Sequence, residues 1–293
     1  MLLLIDSEKL PENYRWRDFV KFHGRDVQQV SERTSADSIE KALSINGQPI
    51  SLKIQLDEAH QSYSVMVSDN LSDTEQSELI ASAQNMLGVN QEIEAFERVF
   101  IQHPEIGHTL QTQKGLRVPQ SSSFYEALTW AIIGQQINLN AAIALRRKLS
   151  QLVGLRQAKG LLCYPEAQHI ASMPLEQLLS IGMSNNKAQA LITVSQKILS
   201  HALPVTEWLN TKPIEEIREQ LLAIKGIGPW TVNYTLLRGL GWLDGSLHGD
   251  VAVRSKLTSL LGKTESISEK AARDWLSQFS PWRALVAAHL WEI

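Results

Sequence analysis

Leu221-Leu222-Ala223-Ile224-Lys225-Gly226-Ile227-Gly228-Pro229-Trp230-Thr231-Val232-Asn233-Tyr234 reads as two helices joined by a tight glycine turn. Glycine alone reaches positive φ without strain, so Gly226 and Gly228 let the chain reverse within a few residues. Leu221, Leu222, Ile224 and Ile227 pin the turn to a core. Pro229 is a favoured first-turn residue, and the free amides of the helix that opens there form a ready phosphate site.

A glycine turn alone is common. The residues beyond it are more specific. Trp230 lies two residues past Gly228, Tyr234 one helical turn beyond Trp230, and Gly249-Asp250 immediately precedes the apolar-periodic Val251, Val253, Leu257 and Leu260. Asp in that place reads as a helix N-cap, and the dipole and amides of a helix start favour a negative charge.

Further motifs surround these: Phe124-Tyr125-Glu126-Ala127-Leu128, Ile133-Gly134-Gln135-Gln136-Ile137, Ile181-Gly182-Met183-Ser184-Asn185-Asn186-Lys187-Ala188, Leu237-Arg238-Gly239, Pro281-Trp282-Arg283 and His289-Leu290-Trp291. In this order they resemble the helix-hairpin-helix DNA glycosylases, within them the alkylation-repair branch of the 3-methyladenine DNA glycosylase II type. The resemblance covers roughly residues 124–291, with Tyr14, Trp16 and Phe22 as a looser N-terminal match. Where that family often has Ser after Gly-Gln-Gln-Ile, this chain has Asn138, which caps a helix equally well.

The resemblance implies a hydrolase that cleaves the N-glycosidic bond of alkylated bases, of the 3-methyladenine and 7-methylguanine type, after flipping them out of duplex DNA. Asp250 is then the catalytic carboxylate, which stabilises the oxocarbenium-like sugar or also orients the attacking water; sequence leaves these two roles open. Strand-cutting relatives carry Lys where this chain has Trp230, so the implied enzyme is monofunctional and leaves an abasic site. Trp230, Tyr234, Trp291 and Phe22 are expected to line the base pocket, where electron-rich rings attract a cationic base. Gln136 takes the position that fills the gap left by the flipped base, and Gly226, Gly228, Thr231 and Lys225 are expected against the DNA. No cofactor and no catalytic metal are implied, only a structural alkali-metal ion on the hairpin carbonyls near Ile224 and Ile227. The histidines show no metal-ligand spacing with a Cys or carboxylate. The partner is double-stranded DNA and the protein a monomer. Two alternatives are a non-catalytic helix-hairpin-helix DNA-binding module and an oxidised-purine glycosylase with lyase activity.

Composition agrees. In 293 residues there is one cysteine, Cys163, which excludes an internal disulfide and a four-cysteine iron–sulfur cluster. No apolar run is long enough to span a bilayer and no secretory signal opens the chain, so a soluble, intracellular (cytoplasmic) protein is expected. The net charge of −3 divides unevenly: residues 1–110 hold 9 Lys+Arg against 18 Asp+Glu, residues 111–293 hold 19 against 13. The half that carries the hairpin is the basic one, as polyanion binding asks.

An α+β N-terminal domain is expected over 1–110, an antiparallel sheet with helices, followed by an all-α helix-hairpin-helix bundle over 111–293. Residues 42–45, 52–56 and 63–67 alternate with period two, and Asn46-Gly47 supplies a turn between the first pair. Ser72-Asp73-Thr74-Glu75 opens a helix, and Ser123 with Glu126 forms a second capping-box signature.

Overall fold

The computed structural model describes residues 2–205, 208 and 213–293. Its sheet has five antiparallel strands, β1 (Leu3–Lys9), β2 (Glu32–Thr34), β3 (Ser38–Ile45), β4 (Gln48–Asp57) and β5 (Ser62–Val67), in the order β1-β5-β4-β3-β2. The β3–β4 hairpin turns at Asn46 and Gly47, both at positive φ (50° and 78°), the pairing that matches the twist of the flanking strands. On one face of β4, Ile50, Leu52 and Ile54 are buried beside Val65 and Val67 of β5. Trp16 and Phe19 of the Trp16–His23 helix and Leu79, Ala83 and Met86 of the Asp73–Leu87 helix close that core. Both halves of the Ser72–Glu75 capping box form.

From Ser123 onward the regular secondary structure of the described residues is helical, apart from one isolated bridge between Arg156 and Leu162. The Phe124–Gly134 helix packs lengthwise on the Pro229–Leu240 helix. Gly239 permits that approach, since a Cβ there would sit 3.1 Å from both Phe124 and Ala127. Leu128, Ile132, Leu191, Leu236, Leu237 and Leu285 are fully buried in the helical core, each contributing about 1.5–3 kcal/mol.

The sheet is bolted to the helices by buried charge. Lys41 of β3 pairs with Glu32 of β2 and, at 3.0 Å, with Glu126; Arg146 bridges the same two carboxylates at 2.6 Å each. Burial pushes the Glu32 carboxyl up, but Arg146 and Lys41 outweigh it and hold it at about 2. Glu126 therefore departs from its expected capping role. Its amide does donate to the Ser123 hydroxyl (3.1 Å), but its carboxylate accepts from Ser122 and this cluster instead. Losing one member of such a set strands a buried charge at a cost of about 3–5 kcal/mol, which fixes how the sheet and the helices face each other. That orientation brings Phe22, at the end of the Trp16–His23 helix, and nearby Arg25 against the helical half.

Candidate active site

The hairpin joins the Ile214–Leu222 and Pro229–Leu240 helices. Ile224 and Ile227 are buried, while Lys225 and Gly226 are exposed. Gly226 has φ +90°, as expected; Gly228 does not share it. With φ −101° and ψ 174°, Gly228 caps the second helix in an extended conformation that any residue adopts, and a Cβ there would meet nothing within 4 Å. The first turn of that helix leaves the Trp230 and Thr231 amides without intrahelical acceptors. Thr231 itself is buried, and its hydroxyl accepts from Gln135 Nε2 (2.9 Å). Its side chain thus braces the hairpin at the edge of the cleft described below.

Gln135 is a site residue that its place in the Ile133-Gly134-Gln135-Gln136-Ile137 motif does not single out from Gln136. Its Nε2 also donates to the Gly226 carbonyl (2.8 Å), tying the end of the Phe124–Gly134 helix to the glycine turn. Gln136 beside it is exposed at φ +54°, in the left-handed region, with Asn138 capping the Leu139–Val153 helix through the Ala141 amide (2.9 Å). Two adjacent glutamines in one helix break leave open, from sequence, which of them faces inward. Of the hairpin carbonyls expected to hold an alkali-metal ion, Ile224's already accepts the Ile227 amide (3.0 Å), and Ile227's has no backbone partner among the described residues.

Asp250 caps the Val251–Leu260 helix, its Oδ1 accepting from the Val253 amide at 3.0 Å. Its Oδ2 accepts from Trp230 Nε1 at 2.9 Å. Each carboxylate oxygen thus has one fixed donor. The loop that delivers Asp250 is tied back to the hairpin helix by Asn233 Nδ2 on the Ser246 carbonyl (2.8 Å).

Trp230 stacks on Tyr234 with ring centroids 5.2 Å apart and planes 28° from parallel, and Trp291 lies 6.1 Å beyond Tyr234. Tyr234 is the most enclosed of the three, its hydroxyl accepting from Trp130 Nε1 (3.0 Å). Phe22 reaches the same cleft from the sheet side. Trp230, Tyr234, Trp291, Phe22, Gln136, Gly226, Gly228 and Asp250 all border one cleft of about 1570 Å³. Lys225 does not border it. Two arginines complete the walls. Arg25 lies 4.0 Å from the Phe22 ring centre and 4.2 Å from Trp130; Arg238 lies 4.3 Å from Phe22, 5.3 Å from Trp291 and 5.9 Å from Tyr234. Three of the four expected pocket rings therefore already face a guanidinium.

Comparison with known proteins bears on this geometry. A family model described as HhH-GPD superfamily base excision DNA repair protein matches residues 129–279, and one described as the AlkA N-terminal domain matches residues 10–123. DNA-3-methyladenine glycosylase 2 of Escherichia coli is 29% identical over 188 residues, 64% of this chain and 63% of that protein. DNA-3-methyladenine glycosylase of Bacillus subtilis is 28% identical over 186 residues, 61% of this chain and 60% of that protein. The match thus spans somewhat under two thirds of the length of these curated relatives. The fold is shared with a 3-methyladenine DNA glycosylase from Archaeoglobus fulgidus at TM-score 0.82 and 21% identity, over 98% of this chain and 97% of that one. A 3-methyladenine DNA glycosylase of Schizosaccharomyces pombe, solved with abasic DNA, superposes at TM-score 0.58 and 25% identity, over 67% of this chain and 94% of that one.

Proposed function

The chain belongs to the HhH-GPD superfamily of base excision DNA repair proteins, and from that premise we propose that it is a monofunctional DNA glycosylase releasing alkylated bases from duplex DNA. One observation carries the proposal: Asp250, oriented by two donors, borders the same aromatic cleft as Trp230 and the glycine hairpin.

The hairpin amides hold a backbone phosphate, and the basic helical half supplies the wider attraction. Exposed Gln136 enters the space vacated when the damaged nucleotide swings into the cleft. As the C1′–N bond breaks, its electron pair leaves with the base, and a base carrying positive charge from alkylation departs neutral. The sugar takes up the positive charge, which the fixed Asp250 carboxylate offsets. Water then adds to C1′ and loses a proton, leaving an abasic site. Trp230 occupies the first turn after the hairpin; its indole N–H serves Asp250 and offers no amine for a Schiff base. The active form is a monomer, and a structural alkali-metal ion on the Ile224 and Ile227 carbonyls belongs to the same proposal. The relatives named as 3-methyladenine glycosylases support this reading.

The test is to incubate the protein with alkylated duplex and resolve the strand before and after alkali, with a parallel borohydride reaction. Cleavage only after alkali and no covalent adduct is the expected result. Strand scission without alkali together with an adduct would assign a lyase.

A further inference from the structure

Arg25 and Arg238 border the cleft without a part in the chemistry above; of the other charged groups there that it does not use, Asp18, Lys21, Arg117 and Glu292 are engaged in ion pairs and Lys187 donates to the Ile133 carbonyl. Neither meets a carboxylate among the described residues. Arg238 is 8% exposed; its Nη1 donates to the Pro119 carbonyl (2.6 Å), and its Nε is buried with no partner. Arg25 makes no side-chain hydrogen bond among the described residues, and its guanidinium is held between the Phe22 and Trp130 rings. Burial pushes both guanidinium groups below the ordinary arginine value. Keeping two such charges without an anion is costly, and a ligand that brings lone pairs to them relieves that cost.

Resting on the proposed glycosylase reading, we infer that Arg25 and Arg238 set the base specificity of this pocket. Their donors favour neutral damaged bases that present an exocyclic carbonyl, such as hypoxanthine, over cationic bases that lack one, such as 3-methyladenine. Two features converge on this. Phe22, Tyr234 and Trp291, rings that could attract a cationic base, each already have a guanidinium within 6 Å, which leaves Trp230 as the pocket ring without one among the described residues. A further positive charge beside these two guanidinium groups is repelled by them, with Asp250 at the sugar side of the cleft, while a carbonyl oxygen accepts from a planar fork of donors. Cationic bases then depend on their own labile bond, and the enzyme's selectivity is directed at the carbonyl.

The experiment compares single-turnover release of hypoxanthine from a duplex carrying one such base with release of 3-methyladenine from N-methylated duplex, for the wild-type protein, Arg25→Met and Arg238→Met. The expected result is that either substitution lowers the hypoxanthine to 3-methyladenine rate ratio by about 10- to 100-fold, because donors built for a substrate acceptor discriminate strongly. A ratio within about 3-fold of wild type, both rates falling together, would make the arginines packing or phosphate-contact residues and overturn the inference. Should Arg238→Met fail to fold, having lost its hold on Pro119, Arg25→Met decides alone, since Arg25 anchors no backbone group. A wild-type protein that releases neither base refutes the glycosylase reading itself; one that releases them with an unmoved ratio in the variants refutes only the role of the arginines.

Discussion

Asp250→Asn changes one atom and separates charge from shape. In the native site Oδ1 accepts from the Val253 amide and Oδ2 from Trp230 Nε1. Asparagine keeps one oxygen, which can retain the cap; its Nδ2 then faces the indole N–H, donor against donor, and the Trp230 bond is lost. A hydrogen bond to a charged group is worth about 1.5–3 kcal/mol, so stability falls modestly. The loss in catalysis is larger. A carboxylate about 4 Å from the developing sugar cation, at an effective dielectric of about 20, attracts it by about 4 kcal/mol. Removing that attraction slows base release roughly 1000-fold. Single-turnover release from an alkylated duplex, with thermal melting and duplex affinity measured on the same preparation, reads all three quantities. Turnover within about 10-fold of wild type in a folded Asp250→Asn protein would refute the electrostatic role.

Trp230→Phe preserves the stack on Tyr234 but removes the donor to Asp250; release of every lesion should fall about 10-fold, and an unchanged rate would mean that the cap alone orients the carboxylate. Gly226→Ala places an L-residue at φ +90° and should cost about 1–2 kcal/mol of stability, whereas Gly228→Ala meets no atom within 4 Å and should leave melting unchanged while weakening binding to all duplexes alike. Equal destabilisation by both would contradict this. His23 and His289 are buried, and burial, aided by Lys41 for the first and Arg15 for the second, lowers both to about 3. Because their folded values lie below the unfolded one near 6.5, the stability they contribute is complete above about pH 6.5 and is lost as pH falls toward 3, by up to about 1.4 kcal/mol per pH unit for each. Denaturation midpoints taken from pH 7 to pH 4 should drop accordingly and drop less steeply for His289→Gln; parallel curves would show that His289 does not titrate with unfolding.

Local signals make the hairpin, the Asp250 cap, the Asn46-Gly47 turn and the Ser72 capping box legible, because each depends on residues within a few positions of one another. β1 and β2 carry no such signal, for a physical reason: both lie at the sheet's edges, β1 mixes charged with apolar residues, and β2 is three residues long. Lys41, Glu32 and Arg146 each look like surface charges alone and Glu126 like a capping residue; only the sheet packed on the helices gathers them. The aromatic pocket is implied by the resemblance, but its electrostatics are not, since Arg25 and Arg238 reach it from segments more than two hundred residues apart in sequence. Trp230 shows the same limit. The resemblance implies that it is a pocket wall, and only the fold reveals that it also holds Asp250.

Whether this cleft hydrolyses the N-glycosidic bond of alkylated bases in duplex DNA is tested most directly by mass-spectrometric detection of bases freed from methylated duplex by the intact protein. The chemistry derived for Asp250 predicts intact free 3-methyladenine and 7-methylguanine, released with enzyme-dependent kinetics in step with abasic sites. Release no faster than the spontaneous background, from a folded protein that binds the duplex, would contradict it.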